Sequence, residues 1–534
     1  MRDISADSDL AYRRRWLTLA VLCVSLFVIV LDNTILNVAI PTLARPKGVG
    51  GLGASASQLQ WIVDSYAVVF AGLLLTAGSL GDRFGRYRAL VIGLIVFGTG
   101  SLLSSFAASP ITLIAARSLM GVGGAFIMPS TLSLLSNVFL DPIERRKAIG
   151  VWAGVAGLGA LGPITGGALL AHFWWGSVFL VNVPIVTAGL VAGSFFIPDS
   201  RDPSAPKLDP IGALLSIAGL SIFLWGVIEA PSHGWTATST LLAFALGAFI
   251  LTGFIVWELR TPSPMLNIRF FQNPRFSAAS GAITLTFFTL FGTLFLMTQY
   301  LQVVLGFSAL KAGIILGPQA LVMLVFAPLS PRWVGRWGNK FVVAAGLGIV
   351  SLCLVLIAGL NQHTAVAAVI AVTMIMGLGM ANIMAPATDS IMGSLPRAKA
   401  GVGSAVNDTT RQTGGAFGVA VLGSLLASRY SSEITHILGK DSPVLAAVKN
   451  NVGAAHGFAI THLGDQPALQ HQVIDASNRA FVSGFHAAAL LGVGVLLLTA
   501  AAVLRYLPSR PPEEDVNGPS LLPDDAHAPA NIAG

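Results

Sequence analysis

The chain has 534 residues, 54% of them hydrophobic and only 10% charged, with 58 glycines and a mean hydropathy of +0.76. That composition excludes a soluble globule with an ordinary core and predicts a polytopic membrane protein. The net charge of +7 would suit nucleic acid only if the basic residues clustered, and the two cysteines, Cys23 and Cys353, both lie in apolar segments and exclude a disulfide framework or a thiolate metal site.

Apolar runs of roughly 18 or more residues between polar breaks predict fourteen membrane-spanning helices. They lie at about 16–40, 58–80, 88–107, 110–138, 148–171, 177–197, 209–229, 237–258, 276–300, 310–331, 341–360, 364–392, 401–429 and 481–505. The first run is full length and followed by others, so it reads as a span and not as a cleaved leader. Of the 31 Lys and Arg, 22 fall in the tails and in alternate connections on their side, against 7 in the opposite connections. The positive-inside rule then places both termini in the cytoplasm, and the basic charge calls for no nucleic acid.

The chain repeats itself. "GVGGAFIMPSTLSLL" (121–135) in the fourth span returns as "GLGMANIMAPATDSIM" (377–392) in the twelfth, and "RRKAIGV" (145–151) is echoed by "RAKAGVG" (397–403). An offset of eight spans, where two six-span halves would give six, means that two extra spans separate the halves. The expected organisation is a cytoplasmic tail (1–15), a six-helix bundle (16–197), a polar linker (198–208), two additional helices (209–258), a second linker (259–275), a second six-helix bundle (276–505) and a disordered cytoplasmic tail (506–534). Two related bundles around a central site are the geometry of a rocking secondary transporter.

Taken in chain order, the charged residues inside spans are the informative ones, because an intramembrane carboxylate costs at least roughly 2.5 kcal/mol and faces protein or water. Asp32 in "LDNTILNVAIP" (31–41) and Arg117 in the fourth span both lie roughly 10–14 Å below the same surface at 1.5 Å per residue, so they are placed to pair. Asp64 lies roughly 9 Å into the second span by the same rise. A carboxylate whose proton affinity changes with its distance from an arginine couples protons to conformation. In "GSLGDRFGRYRAL" (78–90), Gly78 and Gly85 allow a tight turn, while Asp82 among Arg83 and Arg86 pairs charges at a helix end. The counterpart "GRWGNK" (335–340) keeps Gly338 but has Gly335 in place of the acid. In "GPITGG" (162–167), Gly162, Gly166 and Gly167 suit close helix packing and Pro163 predicts a mid-span kink. Asp408 lies in the thirteenth span one turn from Arg411, which is close enough to neutralise it. Asp389, Glu229 and Glu258 fall near span ends and read as solvated. Trp61, Tyr66, Phe287, Phe288, Met297 and Gln299 are candidates to line a cavity for lipophilic cations.

The loop at 78–90 is similar to a signature of the major facilitator superfamily. "LDNTILNVAIP", "ARSLMGVGGAFIMPS" (116–130), "GPITGG", "WIVDSYAVVFAGLL" (61–74) and "AGVGSAVNDTTRQTGGAFGVAVLGSLL" (400–426) resemble the fourteen-span drug/proton antiporters of the EmrB/QacA type, which export quaternary ammonium compounds. One departure is Leu158, where the fifth-span motif usually begins with glycine; another is Met323, where some members carry an aspartate. The resemblance implies an all-α major facilitator fold, proton coupling through Asp32, Arg117, Asp64 and Asp408, and an acid at Asp408 in contact with cationic substrate. It implies a bacterial cytoplasmic-membrane exporter of lipophilic, preferably cationic compounds, monomeric in lipid. A dedicated transporter of one metabolite, lipid or siderophore is the alternative on the same fold, and a non-transporting sensor the alternative outside it.

The sequence contains no G-x-x-x-x-G-K-[ST] phosphate loop, no H-E-x-x-H and no G-x-S-x-G, so neither ATP, a metal nor hydrolytic chemistry is expected. The proton gradient is the expected energy source, and at 100 mV one charge supports roughly a 40-fold concentration ratio. Residues 430–480 are too long for a simple connector. Ser442 with Pro443, and Asp465 with Pro467, predict two helix starts and hence a helical hairpin on the outer face that gates release or meets a partner.

Overall fold

The computed structural model describes residues 14–508 except 140, 142–143, 145–147, 149–150, 153–154, 199, 201–208, 265, 267, 393 and 395–399. Most of the expected tails, most of the 198–208 linker, most of the "RRKAIGV" segment, residues 397–399 of "RAKAGVG" and the side chain of Asp82 lie outside the described residues. Among the described residues there is no β-strand.

The first half comprises α1 (Arg15–Ala44), α2 (Ala56–Phe84), α3 (Arg86–Ser105), α4 (Pro110–Val138), α5 (Leu161–His172), α6 (Ser177–Leu180) and α7 (Asn182–Phe196). The inserted pair is α8 (Pro210–His233) and α9 (Thr238–Arg260). The second half comprises α10 (Pro274–Gln299), α11 (Ala309–Phe326), α12 (Ser330–Trp337), α13 (Asn339–Ile357), α14 (Val366–Met392), α15 (Ala400–Leu438), α16 (Leu445–Val448), α17 (Val452–His462) and α18 (Pro467–Tyr506). Eleven helices among the described residues are long and apolar enough to cross a membrane. The other three expected spans coincide with α2, with α5 and the 3-10 turn Val155–Ala160 before it, and with α15.

Starts follow local chemistry. Ser55 and Gln58 form a capping box at α2, and Ser109 with Thr112 forms another at α4, with Pro110 in the first turn. The expected span at 148–171 is broken by the 3-10 turn, so Pro163 occupies the first turn of α5 and not mid-helix. There its missing N–H removes a donor that would have been unpaired anyway.

The repeat is visible in backbone packing. A Cβ on Gly93 of α3 would lie 2.9 Å from the Gly123 carbonyl oxygen of α4, and one on Gly346 of α13 would lie 2.9 Å from the Gly379 oxygen of α14. Both are small-residue crossings in equivalent positions of the two halves. The turn into α3 passes through Gly85 at φ 120°, and the turn into α13 through Gly338 at φ 86°. Both φ values are costly for any residue with a Cβ.

The halves meet along α5–α11 and α2–α15, and α8 packs across both α2 and α15. Contact is dense at the end opposite the termini. A Cβ on Gly313 of α11 would lie 2.2 Å from Pro163 O, and one on Gly167 of α5 would lie 2.3 Å from Leu310 Cα. Gln302, in the π-helical turn Tyr300–Val304, donates from Nε2 to Val38 O at 2.8 Å. α17 leans on the turn after α1, where a Cβ on Gly457 would meet Pro46 Cδ at 2.7 Å.

The segment at 430–480 is helical as expected, but its starts differ. α15 continues to Leu438 and α18 begins with Pro467 at its first position, without a side-chain cap from Asp465. The stretch after Ser442 makes only the single turn α16, and the longer α17 is capped by Asn451, whose Oδ1 accepts from Ala454 N at 2.7 Å. A cap needs an extended residue just before the helix; Asn451 has φ −167° and ψ 162°.

Candidate functional site

Asp32 and Arg117 pair as their depths predict. Arg117 Nη1 donates to Asp32 Oδ2, and both side chains are buried. Arg117 Nε also donates to Ile62 O at 3.1 Å, and the guanidinium lies over the Tyr66 ring at 4.5 Å. Asn182, at the start of α7, donates to Asp32 Oδ1 at 3.1 Å and to Ser101 Oγ at 3.1 Å, while the Ser101 hydroxyl donates to Phe179 O at 2.8 Å. The pair is therefore held by α1, α2, α3, α4 and α7 together, with hydrogen bonds satisfying lone pairs that burial would otherwise leave costly.

Asp64 is fully buried on α2, and neither carboxylate oxygen has a hydrogen-bond partner among the described residues. It lines a cavity with Asn33, Asn37, Tyr66 and Arg117 from the first half and Phe291, Gln412 and Gly415 from the second. A carboxylate facing such a space, beside a neutralised arginine, has the chemistry to take up a proton or meet a cation, since leaving a buried acid unpaired is expensive. Asn33 and Asn37 were within reach of sequence reasoning, being further polar residues in an apolar span. So was Asn182, isolated in "VFLVNVPIV" (178–186). Gln412 and Phe291 carry no such signal.

The remaining candidates scatter. Asp408 lies 3.9 Å from Arg411 Nη1, the intrahelical neutralisation that its spacing suggests. Arg411 also donates to Thr388 Oγ1 at 3.2 Å and covers the Phe287 ring at 5.5 Å. Met297 lines a separate pocket in the second half, Phe288 is buried, and Trp61 packs near α8. Gln299 lines a further cavity nearer the closed end. Among the aromatic and sulfur candidates, Tyr66 alone reaches the Asp64 cavity, because helical azimuth, which a sequence pass does not fix, decides the rest. Gly162, Gly166 and Gly167 act by contact: a Cβ on Gly162 would lie 2.0 Å from Thr34 Oγ1, on the helix that carries Asp32. Gly85 supplies the turn before Arg86, whose N–H donates to Ser200 O at 2.8 Å; a Cβ on Gly78 would make ordinary contact with Pro129, and Arg83 lies beside the Phe84 ring.

Asp389 is exposed as expected, and Glu229 is partly buried near His233. Glu258 is not solvated. It is 3% exposed, accepts from Leu266 N at 2.8 Å, and shares the space above Gly212 with buried Asp209. The packing of α8 on α9 buries it, a contact that span-end position does not reveal.

The family model described as Major Facilitator Superfamily matches residues 22–419. The chain belongs to the major facilitator superfamily. Within that superfamily it is 38% identical to the multidrug efflux pump LfrA of Mycolicibacterium smegmatis over 92% of this chain and 96% of that protein. It is 32% identical to the tetracenomycin C resistance and export protein of Streptomyces glaucescens (98% and 96%) and to the methyl viologen resistance protein SmvA of Salmonella typhimurium (91% and 97%). A crystal structure of a bacterial homolog of the human lysosomal transporter Spinster superposes with a TM-score of 0.62 at 16% identity, covering 93% of this chain and 99% of that one, and supports the fold alone. As a major facilitator protein, the chain is a multi-pass membrane transporter and not an enzyme.

Proposed function

We propose that this protein is a proton-coupled multidrug exporter of the bacterial cytoplasmic membrane, with fourteen spans and both termini cytoplasmic. One observation carries the reading: a buried, unpartnered carboxylate, Asp64, faces a cavity walled by both halves and sits beside the Asp32–Arg117 pair. The relatives named for efflux, export and resistance support export as the direction.

In this reading the end opposite the termini is the outer face, which the α5–α11 and Gln302–Val38 contacts close. Lipophilic cations enter from the cytoplasm and are held by the Asp64 carboxylate and the rings of Tyr66 and Phe291. Protonation of the acid discharges the cation, and separation of Asp32 from Arg117 as the halves rock supplies the second coupling element. The protein in proteoliposomes should take up ethidium or methyl viologen when an acid-inside pH gradient is imposed and release protons from the vesicle as it does so. A drug-susceptibility panel in cells lacking their own pumps should show resistance to several unrelated cations. Resistance to a single compound would instead favour a dedicated exporter, as the printed name of the tetracenomycin relative describes for that protein.

A further inference from the structure

Three helices that line the Asp64 cavity carry a second one on the same faces. On α2, Gln60 lies one turn from Asp64; on α10, Phe295 and Gln299 follow Phe291 at four-residue spacing; on α15, Gly423 and Ala427 follow Val419 in the same way. Residues four apart share a helix face, so the two cavities are stacked along the seam between the halves, about 6 Å apart by helical rise. The outer cavity is roofed by Asn450, Asn451 and Val452 of the hairpin.

What divides them is small. Ser424 Oγ donates to Gln60 Oε1 at 3.4 Å across the seam, and the Gln60 side chain crosses where Gly423 has none; a Cβ there would lie 2.1 Å from Gln60 Nε2. Turning one glutamine side chain aside would join the two spaces.

Their linings differ in chemistry. The central cavity holds Asp64 and Arg117, whereas among the described residues no Asp, Glu, Lys or Arg lines the outer one. Its walls are Phe295, Phe481 and Leu426, with the carboxamides of Gln60 and Gln299 among them. Gln299 spends one amide hydrogen on Phe295 O at 3.3 Å, leaving hydrogen-bonding capacity toward the cavity. Such a lining favours planar apolar bodies with one or two polar groups and offers a free cation no counter-charge.

We propose that this outer cavity is a second ligand site, for uncharged aromatic molecules with a hydrogen-bonding group, separated from the central site by the Gln60 side chain. Its place on the export route rests on the function proposed above; binding itself does not.

The test uses the full chain in detergent, with ethidium as the cationic probe and 1-aminoanthracene as the neutral one. Saturating ethidium should leave one equivalent of 1-aminoanthracene bound per chain, and Ala427→Trp, which fills the outer cavity, should remove that equivalent. Complete displacement of the neutral probe by ethidium, or its full retention in a folded Ala427→Trp protein, would overturn the proposal. Should Ala427→Trp fail to fold, Gln299→Leu keeps the volume and removes the amide. The expected loss of affinity for the residual equivalent is then roughly fivefold, the value of one hydrogen bond, and unchanged affinity would count against the site. Absence of ethidium binding to the wild-type protein would sink the central site instead, and the neutral probe would still report on the outer one.

Discussion

Replacing Asp32 by Asn tests the paired-charge reading most directly. The substitution removes the counter-charge of the buried Arg117 guanidinium, which keeps Ile62 O at 3.1 Å, Met120 Sδ at 3.8 Å and the Tyr66 face at 4.5 Å. Removing one member of a buried ion pair costs about 3–5 kcal/mol. The ring beneath the guanidinium offsets about 1–2 kcal/mol of that. The introduced amide has one oxygen for two donors; with that oxygen toward Arg117 its NH2 faces Asn182, which can accept from it only by turning its unpartnered Oδ1 inward and giving up Ser101. The net expectation is a loss of about 1–4 kcal/mol in unfolding free energy, read by denaturant titration in detergent, together with loss of pH-driven ethidium uptake. A double variant with Arg117→Gln should regain most of the stability and none of the coupled uptake, which separates folding from function. Wild-type stability combined with wild-type uptake in Asp32→Asn would refute the reasoning.

Asp64→Asn should weaken equilibrium binding of ethidium at least roughly tenfold, as loss of a buried charge partner does, and hardly alter binding of 1-aminoanthracene; fluorescence titration checks both. Gly313→Val should force α11 from Pro163 O and favour opening of the far end, seen as faster labelling of a cysteine introduced there. Gly85→Ala, at φ 120°, should cost about 1–2 kcal/mol or more, whereas Gly281→Ala, with nothing within 4 Å of the new Cβ, should be neutral in the same thermal melt. His456 on α17 has its imidazole pushed below the usual 6.5, chiefly by burial, although its bond to Asn478 opposes this. A depressed folded-state value means that the unfolded hairpin binds protons more readily, so local stability should be full above pH 6.5 and decline as pH falls below it. Hydrogen exchange over 452–462 should show that trend, and His456→Gln should flatten it.

The all-helical fold and its repeated halves were legible because hydrophobic run length and the 121–135 repeat are one-dimensional signals. Depth was legible too: counting residues from Pro41 and Pro110 was enough to bring Asp32 and Arg117 together. Azimuth was not. Met297 and Phe288 share a span with Phe291 yet point elsewhere, and the second half's contribution at Gln412 depends on how α15 rotates against α2. Burial of Glu258 depends on the α8–α9 contact, and the true hairpin cap, Asn451, competes with Ser442 on backbone geometry that composition does not encode.

α15 runs 39 residues without a break, about 58 Å at 1.5 Å per residue, and α18 runs 40. Each exceeds the hydrocarbon thickness of a bilayer by nearly as much again. α15 lines both cavities and carries the hairpin beyond them, so it works as a lever: a tilt of about 10° about its midpoint would swing the outer tip by roughly 5 Å. A spectroscopic label near Leu438 would therefore magnify motions of the cavity wall, and a binder that clamps α17 onto the turn after α1 would brake the cycle from the end opposite the termini without entering either cavity.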